Sequence, residues 1–490
     1  MIVSLILSCL IHAGSTLPVN NFSKKTETLK PKGEVTVYVT TGDGSLDFQK
    51  STLNFTRKVD TAPFSITLNP ETTYQTMDGF GAAITGSTCY NLMKMKKADR
   101  TKFLRETFSE KDGMGMSYIR IAIGCSDFSL SEYTCWDKPG KENFGLQLEE
   151  KQYVIPVLKE LLAINPNLKI IGSPWTPPKW MKVNNLTERK PFDSWTSGQL
   201  NPEHYQDYAW YFVQWLEAFK KEGIHIAAVT PQNEPLNRGN SASLYMSWQE
   251  QLDFIKGALG PQLKAANLPT KIYAFDHNYN YDNIESQRGY PLNIYNDAVA
   301  ASYITGSAYH NYGGNKNELL HIHNQQPDKE IIFTETSIGE WNDGRNLNKR
   351  LIEDMSEVGI GTINRWSKAV IVWNLMLDSD KGPYREGGCK TCYGAVDIQR
   401  SDYKTISKNS HYYVIGHLSV AVKPGATRIA ATGGNDSNIE YSAFKNTDGT
   451  YALVLLNKAA EAKEITLNDS KNYISYQVPA RAVVSFRWKN

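Results

Sequence analysis

Between Gly79 and about Lys404 the chain alternates short apolar runs with longer stretches whose apolar residues fall on one helical stripe. Eight runs have the length and composition of buried strands: 80–84, 117–123, 168–172, 224–229, 271–275, 307–310, 330–333 and 369–373. The clearest helix spans 204–222, where Tyr205, Tyr208, Ala209, Phe212, Trp215, Leu216 and Phe219 share one face. Eight strand–helix units predict a (β/α)8 barrel of the TIM type. The competing arrangement, a doubly wound open sheet, calls for a glycine-rich phosphate loop after its first strand, and none is present. Past Lys404 the alternation stops. Runs at 439–444, 451–456, 464–467, 473–478 and 482–488 read as short strands, with a hairpin turn at Asn446-Thr447-Asp448-Gly449. Residues 35–40 alternate as a half-buried edge strand does. These pieces predict an antiparallel β-sandwich built from both chain ends. The expected domain limits are 1–19 for an export signal, 20–76 and 406–490 for the sandwich, and 77–405 for the barrel.

A barrel places function at the carboxyl ends of its strands, so those ends are where chemistry is expected. The fourth strand ends in Thr230-Pro231-Gln232-Asn233-Glu234-Pro235, and the seventh in Thr334-Glu335-Thr336. Pro235 predicts an extended backbone at Glu234 and blocks a helix start. Two strand-end carboxylates meet the needs of glycoside hydrolysis, where one protonates the leaving oxygen and the other attacks the sugar carbon. The remaining ends carry Arg120 with Cys125-Ser126-Asp127, then Trp175 between prolines. They continue with Asp276-His277-Asn278, His310-Asn311-Tyr312 and Trp373-Asn374. Acids, amides and aromatic rings on one face suit a sugar. No His, Asp or Glu cluster has the sequence spacing of a metal site, and no Ser or Cys sits in a nucleophile elbow. Neither metal nor cofactor is expected.

Composition narrows the partners. A net charge of +2 over 490 residues gives no electrostatic case for nucleic acid. The apolar start Met1 to Cys9 is too short to span a bilayer and reads as an export signal. Ile6-Leu7-Ser8-Cys9 matches a bacterial lipobox, which would lipidate Cys9 and attach the chain to a membrane; the alternative is cleavage near Ala13-Gly14-Ser15. Either route predicts a secreted, cell-surface or periplasmic protein. The cysteines are Cys9, Cys89, Cys125, Cys135, Cys389 and Cys392. For Cys389-Lys390-Thr391-Cys392, a loop disulfide and two free thiols are the expected alternatives, ahead of metal.

On Gly79-Phe80-Gly81, Cys125-Ser126-Asp127-Phe128-Ser129, Ser173-Pro174-Trp175-Thr176-Pro177-Pro178, Asn233-Glu234-Pro235 and Thr334-Glu335, the sequence resembles glycoside hydrolase family 30, the glucosylceramidase family. The resemblance implies a barrel fused to a β-sandwich, Glu234 as acid/base and Glu335 as nucleophile. It also implies sugar contacts from Asp127, Trp175, Asn233 and Trp373, with Arg120 and Tyr312 beside the nucleophile. His310 is counted with Tyr312 among the substrate-binding side chains. The acid role predicts a raised pKa at Glu234, and the nucleophile role an ionised Glu335. The Gly387-Gly388-Cys389-Lys390-Thr391-Cys392 loop and Thr85-Gly86-Ser87-Thr88-Cys89-Tyr90 resemble the endo-β-1,6-glucanase branch. A β-1,6-glucan is thus the first expected substrate and glucosylceramide the second. A non-catalytic carbohydrate-binding surface protein is the alternative from another class.

Overall fold

All eight expected barrel strands form and hydrogen-bond in parallel: β1 (Gly79–Ala82), β2 (Tyr118–Ala122), β3 (Lys169–Ser173), β4 (Ala228–Val229), β5 (Lys271–Asn278), β6 (Ile304–His310), β7 (Glu330–Glu335) and β8 (Ser367–Val372). The structure is a computed structural model and describes residues 33–56, 64–434 and 436–489. The expected export signal and Cys9 lie outside the described residues. Closure is completed where β8 pairs with β1 and where Ser117 N–H donates to the Phe80 carbonyl at 2.9 Å between β1 and β2. The interior packs large and small side chains together, Tyr118, Ile171, Tyr273, Ile332 and Ile371 against Ala228, Ala308 and Ala369. Around it, the helix Tyr205–Lys221 buries the expected stripe from Tyr208 onward, with Tyr205 half-buried, and, in addition, Tyr211 and Val213.

β5 departs from its expected limit at Phe275. It continues to Asn278 through Phe275 and Asp276, both left-handed with φ of 72° and 71°, and its pairing with β6 slips there. Such an irregularity re-aims the side chains beyond it. It turns Asp276 into the barrel axis, where a buried carboxylate would otherwise be ruinous.

The sandwich is made from both chain ends. Its strands run Gln49–Asn54, Glu34–Thr41, Ala482–Lys489, Thr450–Asn457, Ile439–Lys445, Thr427–Gly433, Ser65–Thr76, Lys463–Asn468, Tyr473–Val478 in hydrogen-bonded order. Residues 35–40 do not form an edge: Gln49–Asn54 covers one side of that strand and Ala482–Lys489 the other. Thr427–Gly433 and Ser65–Thr76 were not anticipated, because the first is rich in small residues and the second contains Pro70. Val35, Val37 and Val39 are buried in the sandwich core with Ile66 and Leu68. Deleting residues before Gly79 therefore bares the Ala482–Lys489 ladder and opens that core. The expected outcome is insoluble protein, and a soluble, active truncation would contradict it.

Between the two units lies the helix Ser410–Ala421, buried on every side and in contact with β1, β8 and the strands Thr450–Asn457 and Ala482–Lys489. It carries two histidines. His417 shares hydrogen bonds of 2.9 Å with Ser485 Oγ and Thr40 Oγ1, and burial drives its pKa down to about 3. His411 is driven down to about 4, again by burial. The unfolded chain binds these protons near pH 6.5 and the folded chain does not, so stability is retained above that pH and falls as the medium is acidified toward 4. The thermal midpoint should drop over that interval, and less steeply in His417→Gln. Equal slopes for the two proteins would exclude the role.

Candidate active site

Arg120, at the centre of β2, is fully buried and organises the carboxyl-end face. Its Nη1 donates to Glu335 Oε2 at 2.6 Å, and its Nη2 to Asn233 Oδ1 at 2.7 Å and Asp276 Oδ2 at 2.8 Å. Above the guanidinium lie Trp175 and Trp373, at 4.9 and 5.5 Å to their ring centroids. A planar cation with several donors suits this place; a lysine could not serve three acceptors in one plane.

Asp276 sits beneath, also fully buried. It accepts from Ser173, Thr230 and Thr334 hydroxyls at 2.8, 2.7 and 2.6 Å, besides Arg120 and His310. Burial pushes its pKa up, but Arg120 and His310 outweigh this and hold it well below the usual carboxylate range.

Glu234 occupies the turn after β4, and its backbone is left-handed with φ of 44°, not extended as Pro235 predicts. The turn is imposed from outside: Glu234 N–H donates to the Asp276 carbonyl at 3.0 Å, and Asn237 N–H to the Glu234 carbonyl at 2.9 Å. Such a conformation costs a non-glycine residue about 1–3 kcal/mol, which the surrounding hydrogen bonds offset. Its Oε2 accepts from Asn237 Nδ2 at 2.8 Å and Asn240 Nδ2 at 3.0 Å. Its Oε1 lies 3.1 Å from His310 Nδ1 and 3.7 Å from His277 Nδ1. His310 bridges Glu234 to Asp276, and His277 bridges Glu234 to Asp282, whose Oδ2 is 2.8 Å from His277 Nε2. Burial lowers the His310 pKa, yet Glu335, Asp276 and Glu234 together raise it to about 9.

Glu335 ends β7 with Arg120 on one oxygen and the Tyr312 hydroxyl donating to the other at 3.0 Å. At Glu234 the electrostatics of the unliganded site run opposite to the expectation. Burial raises Glu234, but the two histidines override it and hold that carboxyl well below its ordinary value. Glu335 is raised, by burial first and by the charges of Glu234 and Asp276, against His310 and Arg120. Only Glu234 gains the hydrogen bonds of His277 and His310, whereas His310 reaches Glu335 through charge alone.

The pocket above these groups has a volume of about 360 Å³ and is lined by Asp127, Glu234, Tyr312, Glu335, Trp373 and Trp341 among others. Asp127 Oδ1 is buried without a hydrogen-bond partner, an acceptor free for a ligand hydroxyl. Of the residues singled out in the sequence, Asp127, Glu234, Tyr312, Glu335 and Trp373 face the pocket. Trp175 lies behind Trp373, stacked at 5.1 Å, and Asn233 and His310 are buried supports of Arg120 and Glu234. Sequence reading undervalued Asp276 and His277, and it missed Asn237, Asn240, Asp282 and Trp341. A signal was present for Asp276, a charge inside an apolar strand. For Asn237 and Asn240 there was only their closeness to Glu234. Cys389 and Cys392 form a disulfide at the pocket wall, while Cys89, Cys125 and Cys135 are buried free thiols. Sequence spacing gave no metal cluster, yet folding brings donor atoms of Glu234, His277 and His310 within 4.8 Å of one another. The hydrogen bond and charge attraction among these three side chains account for their approach.

The family model for the glycosyl hydrolase family 30 TIM-barrel domain matches residues 77–422, and that for the family's β-sandwich domain matches 425–486. The chain belongs to glycosyl hydrolase family 30. Within the family it is 30% identical to endo-1,6-beta-D-glucanase BGN16.3 of Trichoderma harzianum, over 84% of each chain. It is 26% identical to lysosomal acid glucosylceramidase of Mus musculus, over 86% of this chain and 83% of that one. A solved family structure, the endo-beta1,6-glucanase BT3312, shares 66% identity at a TM-score of 0.91, covering 93% of this chain and 99% of the other. The family barrel model runs through the helix Ser410–Ala421, which follows the boundary expected at residue 405.

Proposed function

We propose that this family 30 glycoside hydrolase is an endo-β-1,6-glucanase, with Glu335 as nucleophile and Glu234 as acid/base. The observation that carries the choice of substrate is the wall of the pocket. Asn237, Asn240, Asn278, Asp127, Asp282 and Ser337 line it, so it offers hydrogen-bond partners to the hydroxyls of a hydrated glucan. The 66% identical endo-beta1,6-glucanase BT3312 supports the same reading.

In the proposed reaction a glucosyl ring lies against Trp373, with a hydroxyl on Asp127. The glycosidic oxygen accepts a hydrogen bond at Glu234 and so favours its protonated form. The anomeric carbon, partly positive, favours an ionised Glu335. Substrate binding thereby raises the affinity of Glu234 for a proton relative to Glu335. Glu335 then attacks the anomeric carbon while Glu234 protonates the departing oxygen. In the second step Glu234, now a base, takes a proton from water as the glycosyl–Glu335 ester is broken. Arg120 and the Tyr312 hydroxyl stabilise the Glu335 carboxylate at both ends of the cycle. The apolar start of the chain, read as an export signal, suits a polymer met outside the cell.

Separate incubations with β-1,6-glucan and dispersed glucosylceramide test the reading. Release of β-1,6-linked oligosaccharides, first seen by NMR as the β-anomer, is expected. Ceramide release without oligosaccharides would reverse the substrate, and a first-formed α-anomer would refute retention.

A further inference from the structure

Large apolar side chains that remain exposed tend to mark interaction sites when they gather. Of the seven exposed among the described residues, Tyr312 and Trp341 line the catalytic pocket, and Leu130 and Tyr384 line a second cleft. That cleft has a volume of about 570 Å³, larger than the catalytic pocket and within the range of small-ligand sites. It lies on the same carboxyl-end face of the barrel. Tyr90 comes from the helix Gly86–Lys94 that follows β1, Leu130 from the loop after β2, and Pro383, Tyr384, Arg400 and Tyr403 from the chain beyond β8. The catalytic pocket draws most of its wall from the loops after β4 to β7. One segment stands between the two, presenting Pro383 and Tyr384 to the cleft and Cys389 and Cys392 to the pocket.

The cleft is preformed. Asp378 Oδ1 accepts from the backbone of Asp380 at 3.0 Å and of Gly382 at 2.8 Å. Asn91 Nδ2 donates to the Gly382 carbonyl at 2.9 Å, and Ser87 Oγ to the Pro383 carbonyl. Tyr90 is steadied by Tyr153, at 5.5 Å between ring centroids. Little ordering is therefore left to oppose a ligand.

Its chemistry selects a neutral, ring-shaped, hydroxylated ligand. Three tyrosine rings offer faces to the C–H faces of sugars, and their hydroxyls offer hydrogen bonds. Arg400 and Asp380 pair at 3.1 Å, so the rim presents donors and acceptors without the uncompensated cation that an acidic polymer would need. The charged rim equally disfavours a lipid chain.

We propose that this cleft is a second binding site for a β-1,6-linked glucose chain, holding the polymer while the neighbouring pocket cuts it. The inference rests on β-1,6-glucan being the substrate. A 1,6-linked chain is flexible and loses much freedom when gripped, so a second anchor gains by raising the local concentration of chain at the first. Arg385, beside Tyr384, donates its backbone N–H to the Asp127 carbonyl at 3.1 Å, which fixes the spacing between cleft and pocket.

Tyr384→Ala and the double change Tyr90→Ala with Tyr384→Ala test it. On polymeric β-1,6-glucan, kcat/KM should fall at least about fivefold, mostly through KM, while an aryl β-glucoside is turned over as before. A β-1,6-gluco-oligosaccharide too short to reach from cleft to pocket should bind Glu335→Gln at two sites by calorimetry, and at one when the tyrosine changes are added. Equal effects on polymer and aryl glucoside, or a single site in Glu335→Gln, would overturn the inference. Failure of the unaltered enzyme to cut β-1,6-glucan would instead overturn the substrate reading, and the two results are separately visible.

Discussion

Glu335→Gln is expected to lower kcat by about 10⁴-fold or more on every β-glucoside, whatever its leaving group. The amide is nearly isosteric and can still meet Arg120 and Tyr312, so the fold should survive. What is lost is the electron pair that attacks the anomeric carbon. Glu234→Ala should behave differently. A leaving group that departs without protonation, such as dinitrophenolate, needs no acid, so the glycosyl–Glu335 ester should still form quickly and then accumulate for want of a base. Added azide should restore turnover and yield the β-glucosyl azide, because a small anion fits where the carboxylate was and needs no deprotonation. On substrates with sugar leaving groups the same variant should be nearly inactive. Identical behaviour of the two variants on activated and unactivated substrates would show the roles to be misassigned.

The second large effect should come from Arg120→Met. The change leaves Asp276 and Glu335 buried without their shared cation, a situation that costs about 3–5 kcal/mol. A marked fall in the thermal midpoint is therefore expected, together with a loss of at least about 100-fold in kcat/KM. Arg120→Lys separates charge from geometry. It keeps the cation but not the planar set of donors to Glu335, Asn233 and Asp276, so it should recover part of the stability and little of the activity. The residual activity should also move in pH. Without the Arg120 hydrogen bond the Glu335 carboxyl is harder to ionise, and the acidic limb of kcat/KM shifts upward. A lysine variant with unchanged rate and pH profile would rule out the central place given to Arg120.

Much of this architecture was legible before any coordinates, and the reason differs by element. The barrel strands announced themselves because buried parallel strands are continuous apolar runs, and Glu234 and Glu335 stood out as carboxylates at the ends of such runs. The helix Ser410–Ala421 gave no comparable signal, since it is buried all round and has no polar face to set a period. Thr427–Gly433 was missed for want of alternation. At the site, the sequence showed His277 and His310 at strand ends but not their distances to Glu234. The placement of His277 follows the left-handed residues Phe275 and Asp276 within β5, which no residue pattern declares because neither position is a glycine. The lowered pKa of Glu234 was illegible for a similar reason: it depends on which of two acids the histidines touch.

The pairing of the first described strand with the last sets a schedule on synthesis. Glu34–Thr41 leaves the ribosome roughly 440 residues ahead of Ala482–Lys489, which at roughly 5–20 residues per second is on the order of 20–90 s. Over that time its hairpin partner Gln49–Asn54 can occupy one edge, while the other edge waits with open amides and carbonyls. The barrel segments are translated in the interval and can assemble on their own contacts. The sandwich closes only after Ala482–Lys489 has emerged, so a cell making this protein must keep one sticky strand from finding a neighbour's copy until then.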